Sequence, residues 1–422
     1  MINKRFSTGL TFIRSNRLIL AGVGIIVLIS VNIAWFNPRP GYPVVKVPSV
    51  PLMWQYNLDS GTELRSAVQF PDVFRQDPVR CARPGFPLLI NAVMRVLQVP
   101  LFFWKVVSPF EAGAIAYFLV KLAIYIVGGL LLAGTLAPYV GETAGKWASF
   151  FLITHNFSMT YLTTFHTTDM EYFSPVILVF LFSNYLKEPR RWKLICNSFL
   201  AGYLSLIKPN YAVYLAIVLF GLHNRRWRES AVSFICYLIP YWLWRFALHV
   251  MQIPYFSAEK TTYKMGLPYL SELLTQNLLK SIQEVLVSLS DFAVANILFY
   301  SVFLILFLLY AREYFKKEPQ LKIFVFLCVS MTWVQHFAAR KPAVAVMASD
   351  YAFLVFGLGS YGLVQLVERA FPAGSKWMLR FICVLWVASQ AISLIGFPWI
   401  SPENQPEAPL SRHFVSSPSE IP

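Results

Sequence analysis

Charge is what this 422-residue chain has least of: Asp, Glu, Lys and Arg together make up 14% of it, against 57% hydrophobic and 16% aromatic residues. Soluble domains carry about 25% charged residues, so the composition excludes an ordinary water-soluble fold and points to an all-α, polytopic membrane protein. Acids are the scarcer sign, 21 against 36 Lys and Arg, and the formal net charge is +15. In a soluble protein that balance would suggest nucleic acid; in a membrane protein the location of the charges decides. Cysteine is sparse too. Of five, Cys196, Cys236, Cys328 and Cys383 lie in apolar segments and Cys81 stands alone in a polar one, which excludes a disulfide framework and shows no metal-ligand spacing. No Walker loop, Rossmann strand-turn-helix fingerprint, HExxH or GxSxG is present, so soluble nucleotide chemistry has no visible seat.

What is there is long apolar runs. Residues 1–17 hold Lys4, Arg5, Arg14 and Arg17 with no acid, and Leu18 to Phe36 carries no charge and is followed by Asn37, Pro38 and Arg39. That reads as a retained first helix with its N-terminus in the cytoplasm, because a signal peptide would end in a small-residue cleavage site. Further spans are expected at 113–137, 146–165, 172–186, 194–207, 210–222, 231–250, 293–311, 322–337, 350–367 and 379–397, about eleven in all within a range of nine to twelve. Leu88 to Trp104 contains Arg95, which would cost roughly 2.5–3.5 kcal/mol at a span centre, so an in-plane amphipathic helix is expected there. The Leu, Ile and Val spacing of Tyr269 to Leu289, with Lys280 and Glu284, reads as a second interfacial helix. The whole of 1–400 reads as one membrane domain with outside loops at 37–112 and 251–292, and the Pro-, Ser- and Glu-rich 401–422 as a disordered tail. The basic clusters KEPRRWK, HNRRWRE and AREYFKKEPQLK all fall on the inside of this arrangement. The excess charge is therefore topological and recruits no nucleic acid.

Chemistry is expected where outside-facing charges meet the membrane surface. The polar stretch Tyr56 to Asn91 sets Asp59, Glu63, Asp72 and Asp77 against Arg65, Arg75, Arg80 and Arg83. Asp59 and Glu63 are four apart and share a face if helical, so either could accept a proton or hold a divalent ion; the plainer reading is solvated loop acids paired with arginines. HTTDMEYF puts Asp169 and Glu171 on a short turn, where a role in binding and a solvated turn weigh equally. His155 and His166, three helical turns apart, lie on one side of the third span with Thr163, either lining a cavity or bonding between helices; the second is favoured for His155. Lys208 in SLIKPNY and Arg340 with Lys341 in FAARKPAVAVMASDY sit at outside ends of spans, placed for a lipid phosphate or for snorkelling. Lys121 and Arg245 are the charges within spans.

Several of these segments together resemble the GT-C superfamily of integral membrane glycosyltransferases. An N-terminal span leads to an outside loop with an early acid, Asp59, and ARPGFPLL, residues 82–89, is similar to the motif that closes the family's first loop. DMEYFSPVILVFLFSNYL resembles its second acidic turn and helix, IKPNY its Lys-Pro step, and the stretch from Arg340 to Tyr351 its late basic loop. The resemblance implies transfer of a sugar from a polyprenyl-phosphate donor to a glycan, lipid or protein acceptor on the extracytoplasmic face of a bacterial inner membrane. It implies inversion with Asp59 as general base, phosphate stabilisation by Arg340, Lys341 and Lys208, positioning of Asp59 or the phosphate by Arg83, and acceptor binding by Glu171 or Asp169; His166, from the polar stripe, is a further substrate-binding candidate. A divalent cation is the one cofactor it leaves open, and Ser60 after Asp59, where the family often has a second acid, weighs against it. Two other classes stand beside it: a polysaccharide polymerase or ligase of the O-antigen type, and, with less support, a transporter or flippase.

Overall fold

The computed structural model describes residues 2–36, 44–46, 53–55, 58–76, 81–103, 108–162, 164–165, 167–208, 214–215, 227–255, 275, 278–317 and 352–396. Among them helices dominate, and the one pairing of strands is a short antiparallel ladder, β1 (Val44–Lys46) with β2 (Met53–Gln55). The helices are α1 (Ile2–Phe36), α2 (Leu58–Val68), α3 (Val73–Gln76), α4 (Gly85–Phe103), α5 (Pro109–Val140), α6 (Glu142–Ile153), α7 (Asn156–Leu162), α8 (Thr168–Lys187), α9 (Arg191–Ser205), α10 (Trp227–Val250), α11 (Leu278–Tyr300), α12 (Val302–Lys317), α13 (Ala352–Ala370) and α14 (Ser375–Gly396). By length and composition α5 and α10 can cross a membrane, while Ser15–Val31, Gly85–Val99, Tyr172–Leu181 and Val302–Arg312 are shorter apolar stretches.

The centre of the fold is α5. Its start is fixed by a capping box, in which the Glu111 N–H donates to Ser108 Oγ at 3.1 Å and the Ser108 N–H to Glu111 Oε2 at 3.3 Å, with Pro109 preset for the first turn. Its end is Gly141, at φ 88, a backbone state that favours glycine. Contacts along α5 then give the direction of its neighbours. Ser149 Oγ donates to Gly129 O at 2.7 Å and Lys121 reaches Tyr161 O, so α6 and α7 run antiparallel to α5. Gly128 lies under the Phe173 ring while Lys121 meets Asp169, so α8 runs parallel to it. Gly22 packs on Phe150 and Ser30 Oγ donates to Met159 O, aligning α1 with α6 and α7; Trp386 on Thr154 and Gln390 on Asn156 align α14 the same way. Ser198 on Ser233 and Gly202 on Tyr237 make α9 and α10 parallel, and Gly359 on Phe303 with Gly362 on Tyr310 do the same for α12 and α13. One end of the bundle, here the upper end, therefore collects the start of α5 and the ends of α1, α7, α9, α10 and α14.

Several sequence expectations change. The third span, 146–165, is two helices, because the chain breaks at Thr154 and His155 and the break is held by partners from elsewhere: Trp386 Nε1 to Thr154 Oγ1 at 3.1 Å, Asn156 N to Gln390 Oε1 at 3.0 Å, and Asn156 Nδ2 to Ser393 Oγ at 2.9 Å. The span expected at 293–311 is also split, at Ser301 with φ 49, and its first part continues without a loop from the segment read as interfacial, which from Leu278 onward belongs to α11. The segment GLGSYG at 357–362 lies within α13, where its glycines admit Leu136, Phe303 and Tyr310. The expected span at 322–337, most of that at 210–222, Cys328, Tyr269–Leu274 and the tail 401–422 lie outside the described residues.

Above α5 sits a small layer. A Cβ on Gly113 would come within 2.7 Å of Val68, 3.3 Å of Leu64 and 3.7 Å of Met94, so α2, α4 and α5 close tightly at that point. Asn91 on α4 donates to Ala67 O at 2.8 Å and so ties α2 to α4. The chain beyond α2 is pinned to α10 by a second core of Val73, Phe74, Cys81, Leu206, Trp244, Leu248 and Ile253, with Trp244 Nε1 donating to Cys81 O at 2.8 Å.

Candidate functional site

Lys121 is the charge around which the upper end is built. It lies in the apolar α5 and is wholly buried, with Nζ donating to Tyr161 O at 2.7 Å and Thr164 O at 2.6 Å and meeting Asp169 Oδ2 at 3.4 Å. Burying an ammonium requires such a set, since an uncompensated charge costs several kcal/mol. Asp169 is equally buried. This corrects the expectation of a turn with acids at its tip: Asp169 is in the first turn of α8, turned inward to the lysine. Glu63, on α2 and 4% exposed, acts on the same ammonium electrostatically, so it is not the solvated loop acid of the plainer reading. One turn nearer the upper end, the Tyr117 ring packs between Phe86, tilted at 58°, and Phe165, edge-on at 73°, with ring centroids at 5.4 and 5.3 Å. Phe86 belongs to the ARPGFPLL segment and Phe165 to the turn before Asp169, so two separate motifs meet over the lysine.

A second junction lies beside it. The Gly85 N–H donates to Leu206 O at 3.1 Å and Tyr203 Oη donates to Gly85 O at 2.8 Å. The glycine is needed, because a Cβ there would stand 2.7 Å from Ile207 Cγ1 and 3.0 Å from the Leu206 carbonyl carbon. This contact joins the ARPGFPLL turn to the IKP step at the end of α9. It brings the backbone of Arg83, half-buried, to within two residues of the junction on one strand of chain, and that of Lys208 to within two on the other. Lys208 is 4% exposed and so does not snorkel to the surface.

Of the other sequence candidates, Asp59 stands on α2 one turn before Glu63 and on the same face by register, its side chain lying outside the description. Glu171 is on α8 with the same limit, and His166, Thr163, Arg340, Lys341 and Asp77 lie outside the described residues. Asp72 is an exposed loop charge 3.6 Å from Arg75, as read from the sequence. His155 is a satisfied joint residue: its Nδ1 accepts from the Phe157 N–H at 3.1 Å, which leaves the Nε2 proton to donate to Phe299 O at 2.9 Å. It therefore bonds between helices, and the break beside it interrupts the stripe expected to run on to His166. Among the described residues no three or more His, Cys, Asp or Glu gather to hold a metal.

Lys121, Tyr117 and Phe165 are absent from the sequence-derived site. The first carries a usable signal, since a lone lysine within an apolar span is a functional candidate by default; the rings carry none. Neither protein-family models nor curated proteins match this chain.

Proposed function

We propose that the chain is an integral membrane glycosyltransferase that takes a sugar from a polyprenyl-phosphate donor at the extracytoplasmic face and passes it, with inversion, to a glycan, lipid or protein acceptor. The observation that carries this reading is the gathering at the upper end of the helix bearing Asp59 and Glu63, the buried Lys121 with Asp169, and the Gly85–Leu206 junction with Arg83 and Lys208 two residues from it. From Val140 to Lys121 the rise of α5 is about 28 Å. If the lower end of α5 marks the inner boundary, these charges sit at the outer edge of a ~30 Å hydrocarbon layer.

The membrane setting draws support from the alternation of helix directions among the described residues, with α1, α7, α9, α10 and α14 ending where α5 begins. The lower end holds Arg190, Arg191, Lys193 and Arg228, the pattern of a cytoplasmic face. Trp242, Leu243 and Phe246 on α10 are 62%, 57% and 66% exposed, with Leu279, Leu298, Leu308 and Val384 on other helices comparably bare. Apolar surface on that scale is unfavourable in water and ordinary against lipid.

In the proposed reaction the acceptor oxygen attacks the anomeric carbon and its proton passes to the Asp59 carboxylate. The bond from that carbon to the phosphate oxygen breaks, and the phosphate leaves with the electron pair. General-base help of this kind is worth about 10²- to 10⁴-fold. Lys208, Arg340 and Lys341 stabilise the charge that develops on the leaving phosphate, and Arg83 positions it. Glu171 and His166 attend the acceptor. Asp169, committed to Lys121, is removed from the acceptor-binding set.

Asp59→Asn in otherwise unaltered membranes is expected to abolish transfer from a radiolabelled polyprenyl-phosphate sugar without lowering the amount of protein; undiminished transfer removes Asp59 as base. One observation favours a second reading, a transporter: a broken helix, α6 with α7, beside a buried lysine and carboxylates. Lipid-linked glycan profiles separate the classes. Loss of the protein leaves an accumulated polyprenyl-phosphate monosaccharide if it is a transferase and an oligosaccharide if it is a polymerase, and leaves acceptor glycosylation in isolated membranes intact if it is a transporter.

A further inference from the structure

We propose that Lys121 is the positioning residue of this site, an ammonium that clamps both ends of the turn between α7 and α8. Tyr161 belongs to the last turn of α7, and its oxygen accepts from Lys121 at 2.7 Å as well as from the Thr164 N–H at 3.2 Å and Thr164 Oγ1 at 3.0 Å. Thr164, within the turn, accepts at 2.6 Å, and Asp169, in the first turn of α8, lies at 3.4 Å. Two of the three ammonium donors go to carbonyls and the wholly buried Nζ faces Asp169 at ion-pair distance, so Lys121 acts by placing neighbours and makes no contact with substrate. The turn it closes carries His166 and leads into Glu171, while Glu63 brings α2 into the same field. Removing the ammonium withdraws the cation beside Asp169, the Lys121 donor from Thr164 O and the shortest of three donors from Tyr161 O, and the turn opens to solvate the groups left behind.

The activity arm of the test rests on the transferase reading, whereas the accessibility arm does not. Thr167, 4% exposed in the clamped turn, is replaced by cysteine in the full-length protein in intact cells and labelled with a membrane-impermeant maleimide. Lys121→Met is expected to speed labelling roughly tenfold through easier local opening, and Lys121→Arg, which keeps the charge, by less. Asp169→Asn, nearly isosteric, is expected to speed it in the same direction and carries the test if the methionine variant does not accumulate. Unchanged labelling in both Lys121→Met and Asp169→Asn overturns the proposal. So does equal labelling in Gly202→Ala chosen at the same loss of melting temperature, because a clamp is local and general loosening is not. In transfer assays Lys121→Met should lower kcat about tenfold with KM changed less than about threefold, and Lys121→Arg should recover part of it. Absence of transfer from the unaltered protein overturns the transferase reading and leaves the labelling result to decide the clamp.

Discussion

Replacing Gly85 by alanine tests the junction that joins the ARPGFPLL turn to the end of α9. The added methyl would lie 2.7 Å from Ile207 Cγ1, 3.0 Å from the Leu206 carbonyl carbon and 3.1 Å from the Ile207 nitrogen. Carbon atoms are comfortable at about 3.5–4.0 Å, so the two segments must part by roughly 0.5–1 Å. The Gly85 N–H to Leu206 O bond, now 3.1 Å, then exceeds hydrogen-bond range. Overpacking costs about 1–3 kcal/mol and the lost bond about 1 kcal/mol, so the variant should be less stable by roughly 2–4 kcal/mol. Unfolding of the detergent-solubilised protein measures this, with Gly24→Ala and Gly134→Ala as controls, since a Cβ at either meets nothing within 4 Å. Those helical controls should be neutral or gain up to about 1 kcal/mol from propensity. Ile207→Ala in the Gly85→Ala background should recover only part of the loss, because the closest backbone atoms remain. If Gly85→Ala is as stable as Gly134→Ala, the close approach of the two segments is refuted.

Gly202→Ala should be the more damaging glycine substitution. Its Cβ would stand 2.0 Å from the Tyr237 carbonyl oxygen, forcing α9 and α10 apart and stretching the 2.7 Å contact of Ser198 with Ser233; a loss of about 3 kcal/mol or more is expected, and a stability equal to that of the unaltered protein refutes the packing. Cysteines at Asp72 and Glu142, exposed residues at opposite ends of the bundle, test the topology: an impermeant maleimide should label Asp72→Cys in intact cells and Glu142→Cys only after permeabilisation. Labelling of both from one side refutes the alternation of α5 with its neighbours.

How far these features were legible in the sequence depends on whether they are local. The body of α5 was read at 113–137 from its apolar run, and the structure extends it to 109–140 through a Ser-Pro-x-Glu cap and a terminal glycine, both local signals beyond the hydrocarbon-length window. The break at Thr154 and His155 was not legible, because no Pro or Gly marks it and the groups that sustain it arrive from α11 and α14, well over a hundred residues later. Lys121 was visible as a charge in a span, but its carbonyl acceptors and Asp169 come from another helix pair. Glu63 and Asp59 share a helix and were read together; that Glu63 is buried follows from the docking of α2 on α4 and α5, which no spacing within Tyr56 to Asn91 reveals.

On the proposed transferase reading, the charges at the upper end also constrain where each substrate would fit. Stability does not account for them: well-packed apolar residues in place of a buried ion pair are often neutral or stabilising by about 1–4 kcal/mol, and apolar residues make up most of this chain. What the buried set supplies is position and sign. Lys121 is taken up by the Tyr161 and Thr164 carbonyls and by Asp169, so its ammonium is not available to a phosphate. The Gly85–Leu206 junction, with Arg83 and Lys208 within two residues of it, is the opposite case. In the proposed reaction the donor phosphate therefore belongs at that junction and the acceptor hydroxyl at α2, where its proton has a carboxylate to go to. The ARPGFPLL turn lies between them, with Phe86 over Tyr117 and Gly85 against α9, and its packing sets the separation of the two halves of the site. A substitution that widens the junction should then impair transfer even with Asp59 unchanged, because the attacking oxygen and the anomeric carbon must be held within about 3–3.5 Å.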